Sequence, residues 1–211
     1  PVEYQLDIIN QNQVNDAIGL SFPKILKHVL RQDPDIIMIG EVRDRQTAEI
    51  AVQAALTGHL VLTTLHTNDT LGAVSRLVEM GVEPYLLSSA LIGVMAQRLV
   101  RRVCQGCRTS YLATPEAAAA YRWRGQGDLR LMRGRGCPAC YDSGYKGRMG
   151  IYELLEVGPD LQRMIVANAS KDQLAAHVAS TGHHDLYADG MARAFDGHTT
   201  PEEIARVVHS L

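Results

Sequence analysis

With 211 residues, 46% hydrophobic and 21% charged, the chain is long enough to bury a substantial core and has the make-up of an ordinary water-soluble protein. A formal net charge of -2 excludes a global electrostatic pull towards nucleic acid or an anionic membrane. No apolar run approaches the ~18 residues of a membrane helix and no secretory leader opens the sequence, so a cytoplasmic protein is expected. Pro1-Val2-Glu3-Tyr4 starts directly in alternation without an initiating Met, as a cut through a larger protein would.

Residues 2–9 alternate, with Val2, Tyr4, Leu6 and Ile8 on one side, and predict a strand; the polar residues 10–16 predict a loop. Ser21 stands ready to cap a helix whose apolar residues Phe22, Ile25, Leu26, Val29 and Leu30 recur at helical spacing, with Pro23 in its first turn and Pro34 beyond its end. Ile36 to Ile39 are four consecutive apolar residues, which predict a strand buried on both faces, as in a parallel α/β sheet. The run stops at Gly40 and presents Glu41, then Arg43 and Asp44. Open α/β sheets bind ligands at the carboxyl ends of strands, where a carboxylate can hold Mg²⁺ through water or polarise an attacking water in phosphoryl transfer. A plain strand end reaching solvent has the same sequence pattern.

Residues 46–56, rich in Ala, predict a helix packed closely on the sheet, ended by Gly58, and residues 60–65 predict a second strand. The order β-α-β implies a parallel crossover, which brings His66, Thr67 and Asn68 to the same edge as Glu41. His59 precedes the second strand, and a hydrogen-bonded structural role fits it as well as a nucleotide-sensing one. Helices are expected near 70–80 and 85–101. The second turns basic at Arg98, Arg101 and Arg102, read either as cations complementing a helix dipole or as a phosphate or subunit contact.

From Cys104 to about Gly150 the sequence is rich in Gly and Arg and poor in aliphatic residues. It holds Cys104-x-x-Cys107 and Cys137-x-x-Cys140, two knuckles able to set four thiolates around one tetrahedral zinc ion; a redox dithiol and two local disulfides are the other readings. The 29 residues between the knuckles add little closure entropy, and zinc would offset the weak core. Four thiolates leave no open position, so the site reads as structural. Basic residues flank it (Arg101, Arg102, Arg108, Arg130, Arg133 and Arg135), but the stretch from Arg122 to Arg148, with Tyr121, Trp123, Tyr141 and Tyr145, does not alternate as a base-stacking platform would, and no nucleic-acid binding is expected. Beyond Ile151, helices are expected near 159–168, 171–180, 185–195 and 201–208, the last with Thr200 as cap, Pro201 at its first position and acids in its first turn. The expected division is an α/β part over 1–103, a tetracysteine element over 104–149 and a helical part over 150–211.

DPDIIMIGEVRD (33–44), TGHLVLTTLHTND (57–69) and MGVEPYLLSSALIGVMAQRLVRRVC (80–104), with the paired CxxC motifs, resemble the ATPases of type II secretion and type IV pilus extension. The likeness runs through Asp189-Gly190 and residues 197–203, essentially the whole chain. It implies part of a RecA-like ATPase core, a mostly parallel sheet with flanking helices, followed by the zinc element and a helical carboxy-terminal subdomain. It implies that Gly40-Glu41 is an atypical Walker B end, with Glu41 acting on Mg²⁺-bound ATP and the hydrolytic water. Residues 57–68 then match a histidine box, with His66 near the γ-phosphate and His59 and Thr67 within the box. Arg43 counts with the nucleotide-side residues, and Pro1-Val2-Glu3 matches the tail of an aspartate box.

The tetracysteine element implies the extension side of the family, since the related retraction motors lack it. Implied partners are five further copies in a homo-hexameric ring and the cytoplasmic parts of an inner-membrane platform, with only peripheral membrane association. One departure stands out: the 211 residues contain no G-x-x-x-x-G-K-[ST], so nothing here cradles the β- and γ-phosphates. A carboxy-terminal portion of the motor with little or no activity of its own is therefore expected. The alternative is a zinc-stabilised partner-docking module without catalytic activity.

Overall fold

The computed structural model describes residues 2 and 4–208. In chain order these form α1 (Phe22–Val29), β1 (Ile36–Ile39), α2 (Arg45–Leu56), β2 (Leu60–Thr63), α3 (Thr70–Glu79), α4 (Pro84–Ala90), β3 (Gly93–Val103), β4 (Arg108–Leu112), α5 (Pro115–Ala120), β5 (Arg130–Gly134), β6 (Tyr145–Glu156), α6 (Pro159–Val166), α7 (Lys171–Ser180), α8 (Leu186–Phe195) and α9 (Pro201–Val208). By packing they fall into two units, each discontinuous in sequence. One holds the residues up to Val94 together with Glu156–Thr181; the other holds Met95–Leu155 and the residues from Gly182 on.

In the first unit β1 and β2 pair in parallel, Ile36 opposite Leu60 through Ile39 opposite Thr63. α2 makes the crossover between them. Asp44 starts it, accepting from the Thr47 backbone N–H and hydroxyl, each at 2.8 Å. Its Ala48, Ala51 and Ala54 are buried with Ile50 and Val52, so small side chains let the helix lie close to its neighbours, among them β2, α1 and α4. After Leu56 the chain reverses at Gly58, whose φ of +102° favours glycine. α6 and α7 complete the unit by packing on α4 and α3.

Two expectations for this unit are corrected. β1 is not buried on both faces: Ile37 and Ile39 are buried, whereas Ile36 and Met38 are 60% and 78% exposed. Among the described residues the sheet has two strands and one covered face. Residues 2–9 do not form a strand where described; Pro1 and Glu3 lie outside the described residues. A strand needs a partner's backbone, and here glutamine side chains take that role instead. Gln11 accepts from the Leu6 N–H at 2.8 Å and donates to the Tyr4 carbonyl at 2.9 Å, while Ile9 donates back to Leu6 in a turn.

In the second unit β3 pairs with β6, and β4 pairs antiparallel with β5. This overturns the helix expected over 85–101: α4 stops at Ala90, and the following residues alternate in exposure as a strand does, ending on the fully buried Val100. Ala, Met, Leu and Gln are good helix formers, but a strand partner some fifty residues further on decides the conformation. The core gathers Val100, Ile151, Leu186, Met191 and Ile204. Gly190 belongs to it because α8 and α9 approach so closely that a Cβ there would meet Ile204 at 2.9 Å.

The helix-dipole reading of the basic run fails for Arg101, which lies on β3 and is tied to the buried Glu203 rather than closing a helix. Glu203 accepts from the Arg101 backbone N–H at 3.0 Å and from its guanidinium at 2.6 and 3.0 Å, and from Arg206 at 2.7 and 2.8 Å. Val103 donates to the His198 carbonyl, and the Thr199 hydroxyl to the Arg101 carbonyl, so residues 198–203 run along β3. Burial pushes the Glu203 carboxyl up, but Arg206 and Arg101 outweigh it and hold it at about 2, below its ordinary 4.5.

A lowered folded-state value means that this contribution is complete above about pH 4.5 and is lost as the pH falls towards 2. Glu203→Gln is expected to cost up to about 3 kcal/mol at pH 7. Thermal unfolding from pH 7 down to pH 3 checks this: the gap between wild type and variant should narrow as the pH falls.

Candidate functional site

The parallel register decides which side chains meet. It continues past the strands: Val42 donates to the Thr64 carbonyl at 3.1 Å, and the Thr64 hydroxyl donates to the Gly40 carbonyl at 2.6 Å. Glu41 and His66 therefore emerge side by side at the carboxyl edge of the sheet. The Glu41 side chain is 14% exposed, and its Oε2 accepts from the Arg43 guanidinium, with Nε and one terminal nitrogen each at 2.5 Å. His66 Nε2 lies 2.6 Å from Oε1, at ion-pair distance but off hydrogen-bond alignment. Oε1 is thus buried without a hydrogen bond, an arrangement that in folded proteins calls for a water, an ion or a catalytic role.

Thr67 and Asp69 fix the loop after β2. The Thr67 hydroxyl donates to the Asp69 carbonyl at 3.3 Å, and Asp69 caps α3 by accepting from the Gly72 N–H at 2.5 Å. Lys171, the first residue of α7, donates to the other Asp69 oxygen at 2.8 Å. Sequence reasoning missed this contact, and no local signal could have found a partner 102 residues away. The role of Asp44 as the α2 cap is legible from its place just before the helix.

Of the residues expected to act together, the structure unites Glu41, Arg43 and His66, with Gly40 beneath them and Thr67 in the adjoining loop. His59 is not among them. Its Nδ1 lies 2.9 Å from the Ala54 carbonyl and 3.1 Å from the Thr57 hydroxyl, joining the end of α2 to the start of β2. His59 thus stands before the amino end of β2, whereas His66 follows its carboxyl end. Glu3 falls outside the described residues.

The second constellation lies in the other packing unit. The sulfurs of Cys104, Cys107, Cys137 and Cys140 all lie within 4.8 Å of one another. Three separations are 3.9, 3.9 and 3.7 Å. A tetrahedral ion with metal–sulfur bonds of about 2.3 Å would set them about 3.8 Å apart. All four cysteines are free, and the Cys137 N–H donates to Cys140 Sγ at 3.2 Å, an outer contact of the kind that orients a metal ligand.

Burial pushes the Cys107 thiol up to about 11. At Cys140 burial acts the same way but is outweighed by the Gly144 and Cys137 backbone N–H groups, which help bring that thiol down to about 7. The knuckles are held by a backbone crossing: a Cβ on Gly134 would meet the Gly144 carbonyl at 2.1 Å, so neither chain leaves room for a side chain there. The set can hold a metal ion, and its closed arrangement of four sulfurs suits a structural one.

The profile of the family described as Type II/IV secretion system protein matches residues 1–206, and the chain belongs to that family. It is 49% identical over 207 residues to the type II secretion system protein E of Pseudomonas aeruginosa, covering 98% of this chain and 41% of that protein. It is also 49% identical over 209 residues to the type IV pilus assembly ATPase PilB of Thermus thermophilus, covering 97% of this chain and 23% of that one. The chain thus spans well under half the length of these curated relatives.

Among solved structures, the pilus retraction motor PilT with bound ADP matches with a TM-score of 0.64 at 25% identity, over 97% of this chain and 49% of PilT. The ATPase DotB of Legionella pneumophila matches with the same TM-score at 20% identity, over 97% of this chain and 48% of DotB, a likeness of fold. The fold is the α/β arrangement of these RecA-like ATPases, carrying a tetracysteine cluster. Among the described residues no helix is long and apolar enough to cross a membrane.

The sulfur geometry predicts one bound divalent metal per chain. Replacing Cys104 and Cys140 together by Ser should abolish it and cost several kcal/mol of stability. Metal analysis of the purified protein together with thermal unfolding checks this, and full metal content in the double variant would contradict it.

Proposed function

We propose that these residues are the carboxy-terminal portion of a secretion or pilus-assembly motor ATPase, with the edge carrying Glu41 and His66 facing bound nucleotide. The observation that carries this reading is the partly buried Glu41 carboxylate, with its buried Oε1 lacking a hydrogen bond, at the carboxyl end of a parallel strand pair beside the exposed His66. Mg²⁺–ATP, when bound, supplies the electrophilic phosphoryl group and the charge that draws in a water. Glu41 is the group that orients this water or a metal-bound one and takes its proton. In this reading His66, exposed beside Glu41, donates to a terminal phosphate. Gly40, Arg43 and Thr67 belong to the same edge, and in this reading Glu3, matching the tail of an aspartate box, counts with the nucleotide-side residues.

The phosphate-cradling loop and its lysine come from outside this stretch, since none of the 211 residues forms that motif. These residues alone accordingly turn over ATP little or not at all. The four cysteines hold zinc in a structural role, supported by sulfur separations near those of a tetrahedral thiolate site. The working form in this reading is a homo-hexamer docked peripherally, through protein partners, on the cytoplasmic side of a bacterial inner-membrane platform.

The test is ATP turnover of the full-length protein carrying Glu41→Gln. A fall in kcat of at least about 100-fold is expected, the scale of a lost general base. His66→Ala should lower kcat by a smaller factor. Undiminished turnover in Glu41→Gln would contradict the role given to Glu41, and absence of turnover in the unaltered full-length protein would favour a zinc-stabilised docking module without catalytic activity.

A further inference from the structure

We propose that Arg43 is a displaceable counter-ion of Glu41, and that it sets how much divalent cation the site needs before nucleotide engages. This rests on the reading of Glu41 given above and adds a positioning residue to it. The Glu41 carboxylate is 14% exposed, too buried to be satisfied by bulk water. Its charge is balanced in this structure by two exposed cationic or cationisable side chains. Arg43 occupies Oε2 through two nitrogens at 2.5 Å, and His66 stands 2.6 Å from Oε1. A divalent cation, or the water it carries, is drawn to Oε1, which lacks a hydrogen bond, and its charge is set against the Arg43 guanidinium on the neighbouring Oε2.

Arg43 is built to give way. Its side chain is 73% exposed, and it sits on residues 41–43, which belong to no strand or helix, so its guanidinium can turn into solvent without disturbing β1 or α2. An exposed ion-pair arm is held weakly, whereas a 2+ charge arriving a few ångströms away both attracts the carboxylate and repels the guanidinium. The Arg43 contact holds the Glu41 carboxylate in place before the metal arrives, and metal binding works against that contact. Arg43 thus raises the cation concentration at which the site fills.

The experiment uses the full-length protein and a fluorescent, non-hydrolysable ATP analogue, with binding followed as Mg²⁺ is raised. Arg43→Gln should lower the half-saturating Mg²⁺ by about five-fold, the factor that corresponds to an ion pair of roughly 1 kcal/mol. Arg43→Lys, which keeps the charge but loses the two-nitrogen fork, should fall between wild type and Arg43→Gln. In a Glu41→Gln background the Arg43→Gln shift should vanish, because no carboxylate remains to be contested.

A Mg²⁺ midpoint that is unchanged or raised by Arg43→Gln would overturn this proposal even where Glu41→Gln abolishes turnover. Undiminished turnover in Glu41→Gln would instead remove the reading on which it rests. If Arg43→Gln does not fold, as judged by thermal unfolding and metal content, the Arg43→Lys titration decides: a midpoint equal to or above wild type counts against the proposal.

Discussion

Two strands running the same way in fixed register are the constraint from which the first site follows. In an antiparallel pair the carboxyl end of one strand lies beside the amino end of the other, and Glu41 and His66 would have faced opposite edges. The crossover through α2 forces the parallel sense, and the offset of 24 residues set by Ile36 opposite Leu60 carries through to Thr64 beside Gly40. The site therefore depends on Asp44 starting α2 on time and on the reversal at Gly58, where Thr57 and His59 fasten the end of the helix. Small changes there act at the far edge, because a slip of one residue would turn Glu41 to the other face.

The other packing unit meets a different difficulty, a stretch too poor in aliphatic residues to hold itself by burial. It is held by contacts between residues distant in sequence. A fully buried carboxylate clamps β3 to the start of α9, and two knuckles separated by 29 residues bring four sulfurs within 4.8 Å of one another, where they can hold a metal ion. Glu203 is accompanied by two guanidiniums and a backbone N–H, which is why its charge is tolerated inside. Tyr145 joins the same seam, its hydroxyl 2.8 Å from Thr200 and its ring beneath the Arg101 guanidinium.

Much of this was legible where the signal is local. The apolar run before Glu41, the alanine-rich helix, the second strand and the CxxC pairs are each written within a dozen residues, and the β-α-β order carries the edge assignment with it. The errors arise where a distant partner decides. Residues 93–103 look helical by composition, yet their period-two exposure answers to β6. Residues 2–9 alternate like a strand but are bonded by Gln11 instead. The Arg101–Glu203 and Asp69–Lys171 pairs span about a hundred residues each, so only the fold reveals them. Ile36 and Met38 read as core because their chemistry is apolar, while the described sheet covers one face only.

The central claim is that the Glu41 edge faces magnesium and nucleotide in the working protein. The most direct measurement is a structure of the full-length protein with a non-hydrolysable ATP analogue and Mg²⁺. The account predicts Glu41 within about 2 Å of the metal if it binds directly, or about 4–5 Å through one water, with the Arg43 contact opened. A metal–nucleotide pair bound more than about 10 Å from Glu41, with the Glu41–Arg43 contact unchanged, would contradict it.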